Sequence, residues 1–198
     1  MTSTPSDTEA AIEASDPLAP FAGRVADAVG GTAEVAFGTV KVRVSSDAWV
    51  RTHEIARDEL GLVFFSWLSA IDWTNQVEVG DPPAEEVEER YEVLTTVADI
   101  TEGRRVTFST DIPRASPRIA SLVEVYPGAN WHEREAAEMF GITFTGHPNL
   151  EHLYLPDGFL GHPLRKSFPL LSREVKPWPG TVDVEDMPAK PSTENPEA

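Results

Sequence analysis

The spacing of apolar positions changes along the chain, and each change predicts an element. From Leu18 to Val29, Phe21, Val25 and Val29 recur every four residues, which predicts a short helix stopped by Gly30-Gly31. From Glu34 to Val44 the period falls to two. Val40, Val42 and Val44 alternate with Lys41, Arg43 and Ser45, so a half-buried strand is expected, with Lys41 and Arg43 outward and a turn or bulge at Gly38. The helical period returns over Asp47–Leu60, where Trp49, His53, Ala56 and Leu60 share a face. Ser46 is its expected N-cap, and Gly61 follows its last turn. The apolar run Leu62–Trp73 predicts a central strand ending near Asp72.

Thr74–Glu89 contains Pro82-Pro83 and a run of Glu, and is expected as a solvated loop; its carboxylates lack the rigid frame a cation site needs. Arg90–Asp99 alternates through Tyr91, Val93, Thr95 and Val97. Thr101-Glu102-Gly103 is the expected hairpin turn, and Arg104–Ile112 the returning strand. Arg118–Val125 is expected as a short helix closed by Tyr126-Pro127-Gly128. Asn130, with Glu133 three residues on, reads as a capping box for a helix over Trp131–Phe140, ended by Gly141. The sum predicts an α+β fold over residues 18–169: two layers, with a small mixed β-sheet and helices packed on one side. Residues 1–17 are expected as a disordered tail, and 170–198 as an extended, Pro-rich acidic tail.

Composition narrows the function. The 198 residues are enough for one core, and acids outnumber bases 33 to 16, a formal charge of −17. Such a chain is repelled by nucleic acid and by anionic lipid. It has no cysteine, so it offers no thiolate to a disulfide, a zinc site or an iron–sulfur cluster. The first twenty residues lack the basic and apolar regions of a signal peptide. Gly61–Ile71, the longest uncharged apolar run, is far short of the roughly 20 residues of a spanning helix. Membrane association is therefore expected only through a partner.

The candidate chemistry gathers in Asn130–Phe168, which holds four of the five histidines. Glu133, Glu135 and Glu138 crowd one arginine, Arg134, and their repulsion suggests an outside cation: Arg165, Lys166, Arg104, Arg105, Arg114, Arg118 or a partner's arginine. His132-Glu133 opens like a zincin helix, but Ala136 stands where the second histidine belongs. His147-Pro148 and His162-Pro163 fit turns better than metal ligation. Glu135 or Glu138 with His147 or His162 would be the acid–base groups of a stand-alone enzyme. No glycine-rich phosphate loop or serine elbow is present. The residues alone indicate a rigid, charged, Pro-punctuated surface suited to docking.

The order Trp131-x-Glu133-Arg134-Glu135-x-x-Glu138-x-Phe140-Gly141, then His147-Pro148 and Gly161-His162-Pro163-x-Arg165-Lys166, resembles the 30-kDa subunit family of the proton-translocating NADH:quinone oxidoreductase, respiratory complex I. The resemblance is specific over Trp131–Pro169 and looser from about Leu18. It departs where the family usually has Asp for Glu138 and Arg around Glu151-His152. It implies a peripheral-arm subunit with no cofactor and no catalytic residue of its own, in a complex that passes electrons from NADH through FMN and iron–sulfur clusters to quinone and pumps protons. The implied partners are the other peripheral-arm subunits, chiefly the hydrogenase-derived large one and the small one that bears the terminal cluster, on the cytoplasmic side of the cell membrane. The equivalent subunit of a membrane-bound nickel–iron hydrogenase looks similar and is the alternative.

Overall fold

The computed structural model describes residues 16–74 and 88–169. The expected tails, apart from Asp16 and Pro17, lie outside those residues, as does most of the Thr74–Glu89 loop. The chain divides into two units, 1–168 and 169–198, and every element below belongs to the first.

Strands β1 (Thr32–Ala36), β2 (Thr39–Arg43), β3 (Phe64–Trp73), β4 (Arg90–Asp99) and β5 (Arg104–Ile112) form one sheet in the order β1-β2-β5-β4-β3. All pairs are antiparallel except β2 with β5, so the sheet is mixed. The expected β4–β5 hairpin forms, in register from Asp99 opposite Arg104 to Tyr91 opposite Ile112. The stretch from Glu34 to Val44 is a hairpin of β1 and β2 rather than one strand, with the turn at Phe37-Gly38. The run expected to be central, β3, is an edge strand. Its apolar residues serve both faces: Leu68 and Ala70 point to the core, whereas Phe64, Trp67 and Ile71 are exposed. A bulge between Phe65 and Trp67 breaks the alternation.

Three helices cover one sheet face, as expected. Phe21 and Val25 of α1 (Ala19–Val29), Trp49 and Ala56 of α2 (Trp49–Asp58), and Ala136 and Phe140 of α3 (Ala129–Phe140) are buried with Val42, Val93, Val97, Val106 and Phe108. On the other face Glu92 is also buried, beneath Lys41 (2.7 Å) and Arg43, and it accepts from Trp73 Nε1 (2.9 Å). Desolvation raises its pKa, but these partners outweigh that and hold it below the ordinary value. Lys41 and Arg43 thus lie on the outward face, yet their charges are engaged.

Two local expectations fail. Ser46 makes no side-chain cap; Ser46–Ala48 is a 3₁₀ turn, and α2 starts at Trp49. Arg118–Val125 is not a helix. β6 (Arg118–Ala120) pairs in parallel with β7 (Thr143–Thr145), burying Ile119 against Phe144. The spacing of Ile119, Leu122 and Val125 suits a helix, but a partner strand more than twenty residues away sets the backbone. Tyr126 then donates its hydroxyl to the Leu62 carbonyl (2.8 Å) and fixes this segment to the start of β3.

His53 joins α2 to the sheet. It is fully buried; Nδ1–H donates to the Trp49 carbonyl (2.7 Å), and Nε2 accepts from the Thr95 hydroxyl (2.6 Å). Desolvation lowers its pKa to about 4, only partly opposed by the bond to Trp49. The folded state thus holds neutral imidazole while the unfolded chain takes up a proton below about 6.5. Stability should fall as pH drops from 6.5 to 4, by up to about 3 kcal/mol from this residue. Urea unfolding at stepped pH tests this: a His53→Gln chain, weaker throughout, should lack that component, and parallel curves for the two chains would contradict it.

Candidate docking site

Helix α3 begins two positions earlier than its sequence suggests. Gly128 is the N-cap, Asn130 lies inside the first turn, and no capping box forms. Glu133 turns inward instead and is fully buried. One oxygen accepts the Leu122 N–H (2.6 Å), and the other accepts the Ser121 hydroxyl (2.6 Å), tying α3 to the end of β6. With no cation beside it, burial raises its pKa to about 7, partly opposed by the bonds from Ser121 and Leu122.

Glu138 meets a different environment. Its carboxylate receives the N–H groups of Leu153 (3.0 Å), Tyr154 (3.2 Å) and Leu155, three consecutive residues of a segment without regular structure. Desolvation raises its pKa, and the bonds from Leu153, Leu155 and Tyr154 more than reverse that, leaving it below the ordinary range. Arg134 does not neutralise its neighbours. It donates to the carbonyls of Glu151 (2.9 Å) and His152 (3.2 Å), and its guanidinium lies 5.6 Å from the Trp131 ring centre. Glu135 is half-buried. The expectation of a cation from this chain balancing the carboxylate cluster is therefore corrected: two of the three acids are held by amide and hydroxyl donors. Among the described residues no ion pair joins them to Arg165, Lys166 or the other arginines considered.

Arg165 and Lys166 act elsewhere. α3 ends at Gly141, whose backbone is left-handed (φ 72°); a Cβ there would strike the Arg165 and His162 side chains. The last carbonyls of the helix are met from one short segment. His162 Nδ1–H donates to Glu138 O (2.8 Å), the Leu164 N–H to Met139 O (3.1 Å), and Arg165 Nε to Phe140 O (2.6 Å). The Arg165 cation also suits the negative end of the helix dipole. Lys166 N–H then reaches Asp72 at the end of β3 (3.0 Å), and its ammonium reaches the Thr74 carbonyl (3.3 Å). Gly161, with φ 103°, lies against the Phe168 ring. His147 accepts the Asn149 N–H at Nδ1 (3.0 Å), so its Nε2 carries the proton and donates to Asn130 O (3.2 Å); Pro148 beside it is exposed. Both His-Pro pairs are thus turn fixtures. Pro163 sits half-buried between the His162 and Leu164 contacts.

The polar groups of this region are largely engaged in holding shape. Glu138 and His162 are bonded to backbone, which leaves them poorly placed for acid–base work. Among the described residues no group of three or more His, Asp or Glu is arranged to hold a metal, and no helix is long and apolar enough to cross a membrane. What the frame presents outward is apolar: Trp131, Tyr154, Leu160 and Leu164 are 66, 65, 89 and 51% exposed. Sequence reasoning passed over Ser121, Tyr154 and Leu160. Asp72 alone carried a signal, as the one charge in an otherwise uncharged strand.

The buried Glu133 sets a measurable pH effect. Its folded pKa lies above the unfolded one, so its contribution is complete below about 4.5 and is lost as pH rises through 7. Glu133→Gln removes this term. The stability of that variant relative to the parent should rise by about 3 kcal/mol between pH 4.5 and 8. Urea midpoints at four pH values measure it, and a pH-independent difference would show that Glu133 does not titrate as described.

Known proteins agree with this architecture. The family model for the respiratory-chain NADH dehydrogenase 30 Kd subunit matches residues 42–174. The corresponding NADH-quinone oxidoreductase subunit of Roseiflexus sp. (strain RS-1) is 36% identical over 151 residues, covering 75% of this chain and 80% of that protein. Its counterpart in Rhodobacter capsulatus is 36% identical over 140 residues, covering 70% and 64%. Among solved structures, a trypsin-resistant fragment of Nqo5 superposes with a TM-score of 0.52 at 23% identity, covering 66% of this chain and 98% of the fragment. An archaeal membrane-bound sulfane sulfur reductase complex contains a chain with a TM-score of 0.57 at 21% identity, covering 77% and 85%. These two share the fold. The chain belongs to the 30 Kd subunit family of the respiratory-chain NADH dehydrogenase.

Proposed function

We propose that the chain is a docking subunit in the peripheral arm of a proton-pumping NADH:quinone oxidoreductase, and that it holds no cofactor and no catalytic residue itself. The complex carries electrons from NADH through FMN and iron–sulfur clusters to quinone; this chain fixes neighbouring subunits in place on the cytoplasmic side of the membrane. Its partners are the large hydrogenase-derived subunit and the small cluster-bearing one. One observation carries the reading: α3 spends Arg134, Glu138 and its terminal carbonyls on holding residues 151–166 in a fixed, irregular shape with Tyr154 and Leu160 outward. A preorganised loop with apolar anchors is what a stable protein interface uses. The absence of cysteine and of a phosphate-binding loop from the sequence supports a role without a redox carrier. The family signature residues Trp131, Glu133, Arg134, Glu135, Glu138, Phe140, Gly141, His147, Pro148, Gly161, His162, Pro163, Arg165 and Lys166 are accordingly interface and frame residues.

The equivalent place in a membrane-bound hydrogenase is the alternative reading; a chain of a membrane-bound sulfane sulfur reductase shares the fold, but the names of the relatives favour the quinone reductase. The test is a Tyr154→Asp, Leu160→Asp double variant of the full chain. Both residues are exposed, so its Tm should match the parent. Co-purification with the large hydrogenase-derived subunit should fall by about tenfold or more, the scale of losing a central anchor. Unchanged assembly with a lowered turnover would overturn the docking role.

A further inference from the structure

The other end of the sheet carries a feature that the docking site above does not use. β2 and β5 run in parallel with Val40 beside Val106, so the turn before β2 and the turn before β5 lie next to each other. The turn before β2 is a two-residue loop: Ala36 pairs with Thr39, and Phe37 and Gly38 both have positive φ, 51° and 68°. This is the type I′ pattern, in which Asn-Gly or Gly-Gly is the low-strain choice. Phe37 is the one non-glycine residue with positive φ among the described residues, and its side chain is fully exposed. It therefore has backbone strain without any burial to offset it. In the adjacent turn Ile100 is 71% exposed.

The charges around these tips run against the chain's balance. Arg24 and Arg104 both stack on the Phe21 ring, at 5.7 and 5.4 Å from its centre. Arg105 follows on the opposite sheet face, beside Ala98. Arg104 pairs with Glu102, and Asp99 accepts the Thr101 N–H. Arg24 and Arg105 form no ion pair among the described residues, although the chain has about twice as many acids as bases. Exposed apolar tips flanked by unpaired arginines complement an apolar recess with acidic edges. Anionic lipid is the weaker match, because the net charge of −17 opposes approach to such a surface.

We infer that the paired tips bearing Phe37 and Ile100, flanked by Arg24, Arg104 and Arg105, form a second docking point that inserts into a carboxylate-rimmed apolar recess of another subunit. It is separate from the α3 site. Asp72, where Lys166 is anchored, lies opposite Tyr91 at the start of β4, whereas Ala98 and Arg105 mark its far end, about 23 Å away along the strand. The inference rests on the proposed function only in taking the partner to be another polypeptide of the same assembly.

Two experiments decide it. In the first, the photoreactive amino acid benzoylphenylalanine replaces Phe37, or separately Tyr154, in the full chain within the assembled complex. Irradiation at position 37 should give an adduct with a peptide of another subunit that contains both apolar and acidic residues. An adduct at 154 but none at 37 overturns the second docking point and leaves the proposed function standing. A lipid adduct, or one with a second copy of this chain, at position 37 also overturns it, and no adduct at either position removes both readings. In the second, Phe37→Asn relieves the turn. Its Tm should rise by about 2–4 °C, while its retention in the complex through a salt wash falls roughly tenfold. A lowered Tm, or a raised Tm with full retention, overturns the inference.

Discussion

Three carbonyls at the C-terminal end of α3 have no partner within the helix, and the chain beyond Gly146 is arranged around supplying them. A helix end left unmet in a partly buried site is costly, because each carbonyl gives up water without gaining a donor. Here His162, Leu164 and Arg165 answer residues 138, 139 and 140 in turn. That ladder fixes the path of the segment, and Lys166 carries it on to Asp72 in the sheet. The Glu138 carboxylate holds the outward loop from the opposite side. A stretch with almost no regular structure thereby acquires a single shape, set by the helix it caps.

Buried acids in this chain show three solutions to one problem. Glu92 sits under Lys41 and Arg43, where opposite charge compensates its desolvation. Glu138 is surrounded by amide donors and stays ionised without a cation in contact. Glu133 has two donors, and burial wins over them. The three differ in donor count and in formal charge nearby, and the directions of their pKa shifts follow that order. His53 presses the other way from Glu133, and the contributions of these two groups nearly cancel between about pH 4.5 and 6.5.

Much of the fold was legible because it is written locally. The β4–β5 hairpin, α1 and the buried face of α2 follow from periodicity within one element. What was illegible depends on distant partners. β3 reads as central because Phe64, Trp67 and Ile71 are apolar, yet its position at the edge is decided by which strands pair. Ile119 and Leu122 fit a helix until Phe144 arrives to pair with the strand. Glu133 reads as a cap from its spacing to Asn130, but the Leu122 N–H and the Ser121 hydroxyl lie eleven and twelve residues away and draw it inward. Composition likewise suggested that crowded carboxylates need cations; it cannot show that backbone amides are within reach. At the candidate site, the signature residues were identifiable as a group, whereas the anchors they display were not, since exposure is a property of the finished surface.

The parallel pairing of β2 with β5 also orders the assembly of the chain. Val40 meets Val106 across more than sixty intervening residues, whereas β3, β4 and β5 are joined as neighbours along the meander. Closing the longer loop carries the larger entropy loss, and it is recovered only once β5 already offers a formed edge. The β1–β2 hairpin is therefore the last part of the sheet to join. Its strained turn adds little to the barrier for folding, and its influence falls instead on how readily that corner opens from the native state.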